Sequence, residues 1–237
     1  MATFRSTLIS RFLMLLLSVA VANSADAINP RRHGAGAKSS TPKKPQGNPA
    51  SSTGPFTTVV VDPGHGGHDL GGIPENIIPE KDVALDVAIR VEKHLEAAGL
   101  RVVMTRSDDT FISLGERVRI ANAERDAIFL SIHFNSALRP EARGVEVYYG
   151  SPTGAPLAQL IQEKLLTVTV NPDDRRVKRG PFWVLRQTKC PAVLAECGFL
   201  TNCEDAEFAL DESSREKLAE QIVAAVLEYH QRLQSGN

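Results

Sequence analysis

Thr57-Thr-Val-Val-Val-Asp62-Pro-Gly-His65-Gly-Gly-His68-Asp69 opens the patterned part of this chain and decides how the rest is read. Its β-branched run argues for a buried strand, and Pro63-Gly64 turns that strand into a loop. From there strands and helices alternate. Pro79 introduces a helical stretch with Ala84, Val87, Ala88, Val91, Leu95 and Ala98 at i, i+3, i+4 spacing, and Gly99 stops it. Arg101 to Thr105 reads as a strand. Ser113 to Arg125 reads as a helix in which Ser113 and Glu116 have capping-box form. Ala127 to Ile132 is a second buried strand, Gly144 to Tyr149 another strand, and about Ala155 to Val168 a helix. Residues 171–180 read as an exposed loop, Phe182 to Leu185 and Ala192 to Glu196 as short strands, and about Ser213 to Leu233 as a closing amphipathic helix. The alternation predicts an α/β fold: a three-layer sandwich with a mostly parallel central sheet flanked by helices.

Upstream of that stretch the composition changes. The 237 residues carry 27 Lys and Arg against 28 Asp and Glu, a net charge of −1. That balance excludes a nucleic-acid binder acting through bulk charge and an acidic disordered chain. Residues 1–55 nevertheless hold seven Lys/Arg and a single acid, Asp26, so a basic arm precedes an acidic body. Residues 1–27 read as a signal peptide: Arg5 and Arg11, then the apolar run Phe12 to Ala22, then Ala25-Asp26-Ala27, with Ala22-Asn23-Ser24 as a competing cleavage site. The apolar run is about half the ~20 residues a spanning helix needs, so no stable membrane anchor is expected. Residues 28–56, rich in Pro, Gly, Ser, Ala, Lys and Arg, read as a disordered basic linker, which is either a solubilising spacer, the favoured reading, or a weak tether to an anionic surface. A domain at 57–237 follows, and the leader places it in the periplasm or outside the cell. The three cysteines, Cys190, Cys197 and Cys203, form no C-x-x-C, which argues against a cysteine zinc site, and Cys197 in its apolar run reads as a buried thiol.

In open α/β sheets chemistry gathers beyond the carboxyl ends of the strands. Three such ends here carry polar groups. The first runs into Asp62, His65 and His68, the second into His133-Phe-Asn135, and the third into Glu196; Glu80 begins the helix after the glycine loop. Imidazoles with a carboxylate make catalytic zinc sites of three protein ligands, and a further unliganded group is needed to move protons. Glycines around His65 allow the backbone to approach a metal closely. Blander readings stand beside these. The glycine loop as a phosphate cradle lacks both common glycine-loop patterns. His133 as a core histidine and Glu80 as a helix-start charge are ordinary alternatives. Glu196 inside an apolar run is harder to dismiss, because a buried carboxylate needs a partner. His68 is a fourth ligand, a pocket wall or a solvent-facing group, and His33, His94 and His230 read as surface or packing residues. Spacing alone leaves open which carboxylate binds metal and which serves as base.

The strings Val60-Val-Asp-Pro-Gly-His65-Gly-Gly, Glu80-Lys-Asp82, Thr105-Arg106, Ser131-Ile-His133-Phe-Asn135 and Pro191-Ala-Val-Leu-Ala-Glu196-Cys-Gly-Phe-Leu200 resemble, in order, the zinc-dependent N-acetylmuramoyl-L-alanine amidases of the amidase_3 type, over about residues 57–232. The resemblance implies one Zn2+ per chain on His65, Glu80 and His133, with Glu196 as the catalytic carboxylate. It implies peptidoglycan as the partner, the amide between N-acetylmuramic acid and L-alanine as the bond cut, and wall remodelling, daughter-cell separation or lysis as the setting. A monomer is expected, no nucleic acid, and no protein activator is indicated. Asp62 and Asn135 are candidates for supporting hydrogen bonds. Two features depart from the pattern. The loop Gly72 to Pro79 is more apolar than usual for the family, and only about 30 residues separate Tyr149 from Gly180, resembling members without an inserted plug helix. The competing functions are another envelope zinc amidohydrolase, either a stem peptidase or a sugar deacetylase, and a wall-binding domain without activity.

Overall fold

Strands that are apolar on both sides need a layer of helices on each. The computed structural model describes residues 55–72, 78–169 and 173–236. Its first half contains β1 (Thr58–Pro63), α1 (Glu80–Ala97), β2 (Arg101–Met104), α2 (Leu114–Ala123), β3 (Ala127–Asn135) and β4 (Val145–Tyr149). After it come α3 (Ala155–Leu165), β5 (Asp174–Arg179), α4 (Trp183–Gln187), β6 (Ala192–Phe199), α5 (Cys203–Leu210) and α6 (Glu212–Ser235). The strands form one six-stranded sheet in the order β2-β1-β3-β6-β4-β5. Neighbours are parallel except β4, which runs antiparallel to β6. This is the mostly parallel three-layer sandwich that the alternation predicts.

The two faces are covered unequally. Val59, Val61, Ile128, Leu130, Ile132, Val193 and Ala195 pack in one buried cluster with side chains of α1, α3 and α6. Their alternates Val60, Phe129, Ala192 and Leu194 pack in a second, smaller cluster with Val118 and Ala121 of α2 and Val184 and Leu185 of α4. Each fully buried Leu or Ile contributes about 2 kcal/mol through surface removed from water. On that face the cover comes from the five-residue α4 and the ten-residue α2.

Helix starts follow the side-chain chemistry. Ser113 Oγ accepts from Glu116 N at 3.2 Å, but Glu116 does not close the box; its carboxylate takes Arg119 Nε at 2.8 Å instead. Two expectations are corrected. Residues 171–180 are not simply a loop: Asp174–Arg179 forms the edge strand β5, paired in parallel with β4. Phe182 to Leu185 is not a strand: Trp183–Gln187 makes one helical turn and a half, α4, because a short apolar run packs equally well in either form and here covers the sheet face. Helix α5 is an addition to the elements expected from the sequence, started by Asn202, whose side chain accepts from Glu204 N and Asp205 N. Phe56, assigned by sequence to the linker, is buried against Tyr229 and His230 of α6. The leader at 1–27, the linker through residue 54 and the apolar loop at 73–77 lie outside the described residues.

Candidate metal centre

β1 and β3 pair in register from Thr58 with Ala127 to Pro63 with Ile132, and β3 runs three residues further, to Asn135. His133 in turn stands opposite Glu196 on β6. α1 starts against the same edge. Glu80 N donates to Gly72 O at 3.0 Å, and Gly72 N and Phe134 N donate to the two carboxylate oxygens of Glu80 at 2.8 and 3.1 Å. Those donors aim Glu80 Oε1 to within 3.1 Å of His65 Nε2 and 2.9 Å of His133 Nδ1. One ligand atom from each of the three residues lies within 4.8 Å of the others, and the two imidazole rings meet edge to face at 4.9 Å.

The donor set fits a zinc ion. Ligand atoms bound at about 2 Å in a tetrahedral shell lie about 3.3 Å apart, close to the contacts seen. The crowding around the group is shown by its glycines. A Cβ on Gly64 would lie 2.3 Å from His133 Cε1, and one on Gly71, where φ is 69°, would lie 2.6 Å from Glu80 Oε2. Two buried polar atoms beside the group have no hydrogen bond: Glu196 Oε2 and His65 Nδ1. The latter lies 2.9 Å from Asp69 Oδ1, within ion-pair distance but without a hydrogen bond.

Charges in this pocket are strongly coupled. Burial alone would raise the Glu80 pKa, but hydrogen bonds and charge from His133 and His65 hold it well below the usual carboxylate range. Burial alone would lower His133, but the hydrogen bond and charge of Glu80 raise it to about 9. Glu196, 8% exposed and without those hydrogen bonds, is pushed up to about 7 by burial; His133 pulls it back while Glu80 and Glu146 push it further. Two carboxylates in one pocket therefore differ sharply in proton affinity, because one is hydrogen-bonded by imidazoles and the other is not.

Beside the three candidate ligands lies a bracket that the sequence motifs touch at Asp62, Thr105-Arg106 and Ser131 but not at Arg117. Asp62 is buried and accepts from Thr105 Oγ1 at 2.6 Å, Arg117 Nη1 at 2.6 Å and Ser131 Oγ at 2.7 Å. Arg117 also donates to the carbonyls of Pro63 and His65, at 2.6 and 2.5 Å. Arg106 reaches the carbonyls of Pro63, Gly64 and Lys81 at 3.1, 2.6 and 2.8 Å. These two buried arginines grip the backbone on both sides of His65, whose φ is 58°. A non-glycine residue in that region costs free energy and persists only where its surroundings hold it. Arg117 gives no sign in the sequence, since on the surface of an amphipathic helix it would look the same.

The second omission is Glu146 on β4. It is 3% exposed, stands opposite Glu196 across the β4–β6 pair, and accepts from Asn135 Nδ2 at 2.7 Å and Tyr148 OH at 2.9 Å. Asn135 thus supports the site through Glu146. His68 does not join the group of three; its ring lies tilted against Phe111, with centroids 4.1 Å apart. His94 pairs with Glu216 at 2.6 Å and His230 meets Phe56 edge-on at 4.9 Å, matching their reading as surface and packing residues. All three cysteines are free, and burial raises the Cys197 thiol.

Two imidazoles and a carboxylate around one point, with a second carboxylate unbound beside them at the open edge of an α/β sheet, make the working arrangement of a metal-assisted hydrolase. The family model described as N-acetylmuramoyl-L-alanine amidase (Amidase_3) matches residues 59–228, and the chain belongs to that family. It is similar to N-acetylmuramoyl-L-alanine amidase LytC of Bacillus subtilis (strain 168), 39% identical over 177 residues that cover 73% of this chain and 35% of LytC. The match therefore spans about a third of that relative's length. Among solved structures, the catalytic domain of CwlV, the amidase of Bacillus (Paenibacillus) polymyxa var. colistinus, is 35% identical with a TM-score of 0.71, covering 74% of this chain and 99% of that one. The N-acetylmuramoyl-L-alanine amidase AmiC2 of Nostoc punctiforme is 36% identical, also at 0.71, covering 77% of this chain and all of that one.

Proposed function

We propose that this chain is a zinc-dependent peptidoglycan hydrolase, acting outside the cytoplasm, that cuts the amide between N-acetylmuramic acid and the L-alanine of the stem peptide. His65, Glu80 and His133 would hold one zinc ion, and Glu196 would be the catalytic acid–base. The observation that carries the reading is the convergence of those three ligand atoms within 4.8 Å, with Glu196 on the strand position facing His133. Family membership supports the bond cut, and the full chain's substrate is inferred from it.

Bound zinc supplies Lewis acidity at the amide carbonyl and acidifies the attacking water. The protein's own groups do the rest. Glu196 accepts the proton released as water adds to the carbonyl carbon, then passes it to the nitrogen of L-alanine as the carbon–nitrogen bond breaks. The products are a muramyl carboxylate and a free stem-peptide amine. Asp62, Arg106 and Arg117 keep His65 in its left-handed conformation, and the backbone N–H groups of Gly72 and Phe134 fix the Glu80 carboxylate.

The test combines metal content with product mass. Purified Glu196→Gln protein should retain about one zinc per chain but release no intact stem peptides from sacculi, while the unaltered protein releases them. Normal hydrolysis by the variant would remove Glu196 from its role. Release of shortened stems or of acetate would point instead to a peptidase or a deacetylase.

A further inference from the structure

In a regular strand, residues three apart leave on opposite faces, so Arg175 and Lys178 of β5 should not meet. They do, because β5 is bulged. Asp174 pairs with Val145 but Val177 with Val147, placing one extra residue on β5, and Arg176 within the bulge has φ 68°. Asp174 Oδ1 accepts Arg176 N at 2.9 Å and steadies the turn. Bulges re-aim side chains and gather beside functional sites. Here the consequence is that Arg175 Nε reaches Glu146 Oε2 at 3.1 Å and Lys178 Nζ pairs with the same oxygen.

One buried carboxylate thus anchors two cations whose side chains are 34% and 41% exposed, leaving an excess positive charge one strand away from Glu196. The Arg175 guanidinium also lies 4.8 Å over the Phe199 ring. Placed over an aromatic face and tied at Nε, it makes no hydrogen bond through its terminal nitrogens among the described residues. A guanidinium fixed in this way presents a two-pronged donor edge matched to a planar carboxylate. If these cations served only to neutralise Glu146, one of them would suffice, without a left-handed residue in the strand.

We propose that Arg175, with Lys178 beside it, binds a free carboxylate of the substrate just beyond the scissile amide. This rests on the amidase reading, which identifies the group. The residue after L-alanine in the stem peptide is D-glutamate joined onward through its side chain, so its α-carboxylate is free and near the bond being cut. Amidation of that carboxylate would remove the charge that Arg175 recognises. The site is therefore a specificity determinant for unamidated wall peptide.

Two muropeptides differing only in carboxylate or carboxamide at that position provide the test. The full chain should hydrolyse the carboxylate form with a kcat/KM about tenfold or more higher, mostly through KM. Arg175→Gln should bring the ratio close to one, and Lys178→Gln should lower it partway. A wild-type ratio near one, or a preference that survives Arg175→Gln, would overturn the proposal. Calorimetric binding of both muropeptides to Glu196→Gln protein separates this failure from failure of the amidase reading. Tighter binding of the carboxylate form without cleavage by the wild-type chain removes the amidase reading alone. Equal binding of the two forms removes the Arg175 site.

Discussion

Glu196→Gln should make the metal-free protein more stable at pH 8 while abolishing its chemistry. Burial is the main reason that the Glu196 pKa rises from an ordinary 4.5 to about 7. The folded protein then binds this proton more tightly than the unfolded chain does. The associated stability is fully present below pH 4.5 and is lost as pH rises through about 7, where the folded state must either ionise a buried carboxyl or hold a proton that solvent would take. A displacement of that size corresponds to about 3 kcal/mol, an upper figure because a real pocket relaxes around the charge. Glutamine keeps the shape and has no proton to lose. Urea unfolding of chelator-treated protein, followed by circular dichroism at pH 4 and pH 8, reads the effect directly. Titrating groups distant from Glu196 are shared by both proteins and cancel in the difference; His133, raised in part by the Glu196 charge, does not, and its shift is part of the measured effect. The variant's advantage over wild type should grow by about 2–3 kcal/mol between the two pH values. An advantage equal at both would mean that Glu196 is solvated and ionised like a surface carboxylate, and the burial argument would fail.

Further perturbations address the parts around Glu196. His133→Ala should reduce zinc from about one per chain to near zero by elemental analysis while the far-ultraviolet spectrum is retained; full occupancy would show that the ion sits elsewhere. Gly64→Ala forces a methyl group to within 2.3 Å of the His133 ring and should weaken zinc binding by about tenfold to a hundredfold in a competitive chelator titration. Unchanged affinity there would mean the ring has room to move. Asp62→Asn leaves Arg117 buried without its counter-charge and should cost about 3–5 kcal/mol in denaturant unfolding, and a loss under 1 kcal/mol would show that backbone carbonyls alone satisfy the guanidinium.

Four of the groups at this centre were legible before any coordinates because each ends or interrupts an apolar run. His65 follows the end of β1 by two residues, His133 and Glu196 interrupt the apolar runs of β3 and β6, and Glu80 follows a proline. A polar residue in such a place must be explained, so it draws notice. Glu146 escapes for the opposite reason. In Gly-Val-Glu-Val-Tyr-Tyr it looks like the outward member of an alternating strand, and only the pairing of β4 beside β6 turns it inward. β5 escapes because Asp-Arg-Arg-Val-Lys-Arg has almost no apolar residues to signal a strand; its place comes from hydrogen bonding to β4, a tertiary fact. Arg106 and Arg117 are hidden by their ordinariness, since nothing in a sequence distinguishes an arginine bound to backbone carbonyls from one in water.

The charged edge strand has a consequence for solubility as well. A sheet edge is a row of unpaired N–H and C=O groups on which a strand from another molecule can zip, and flat apolar edges invite fibrous aggregation. β5 presents Arg175, Arg176, Lys178 and Arg179 along six residues and is kinked in the middle. Two copies approaching edge to edge would bring eight cations together across a register broken by the bulge. Replacing these cations to remodel specificity would therefore also dismantle a barrier to self-association, so variants altered at several β5 positions call for light scattering alongside kinetics.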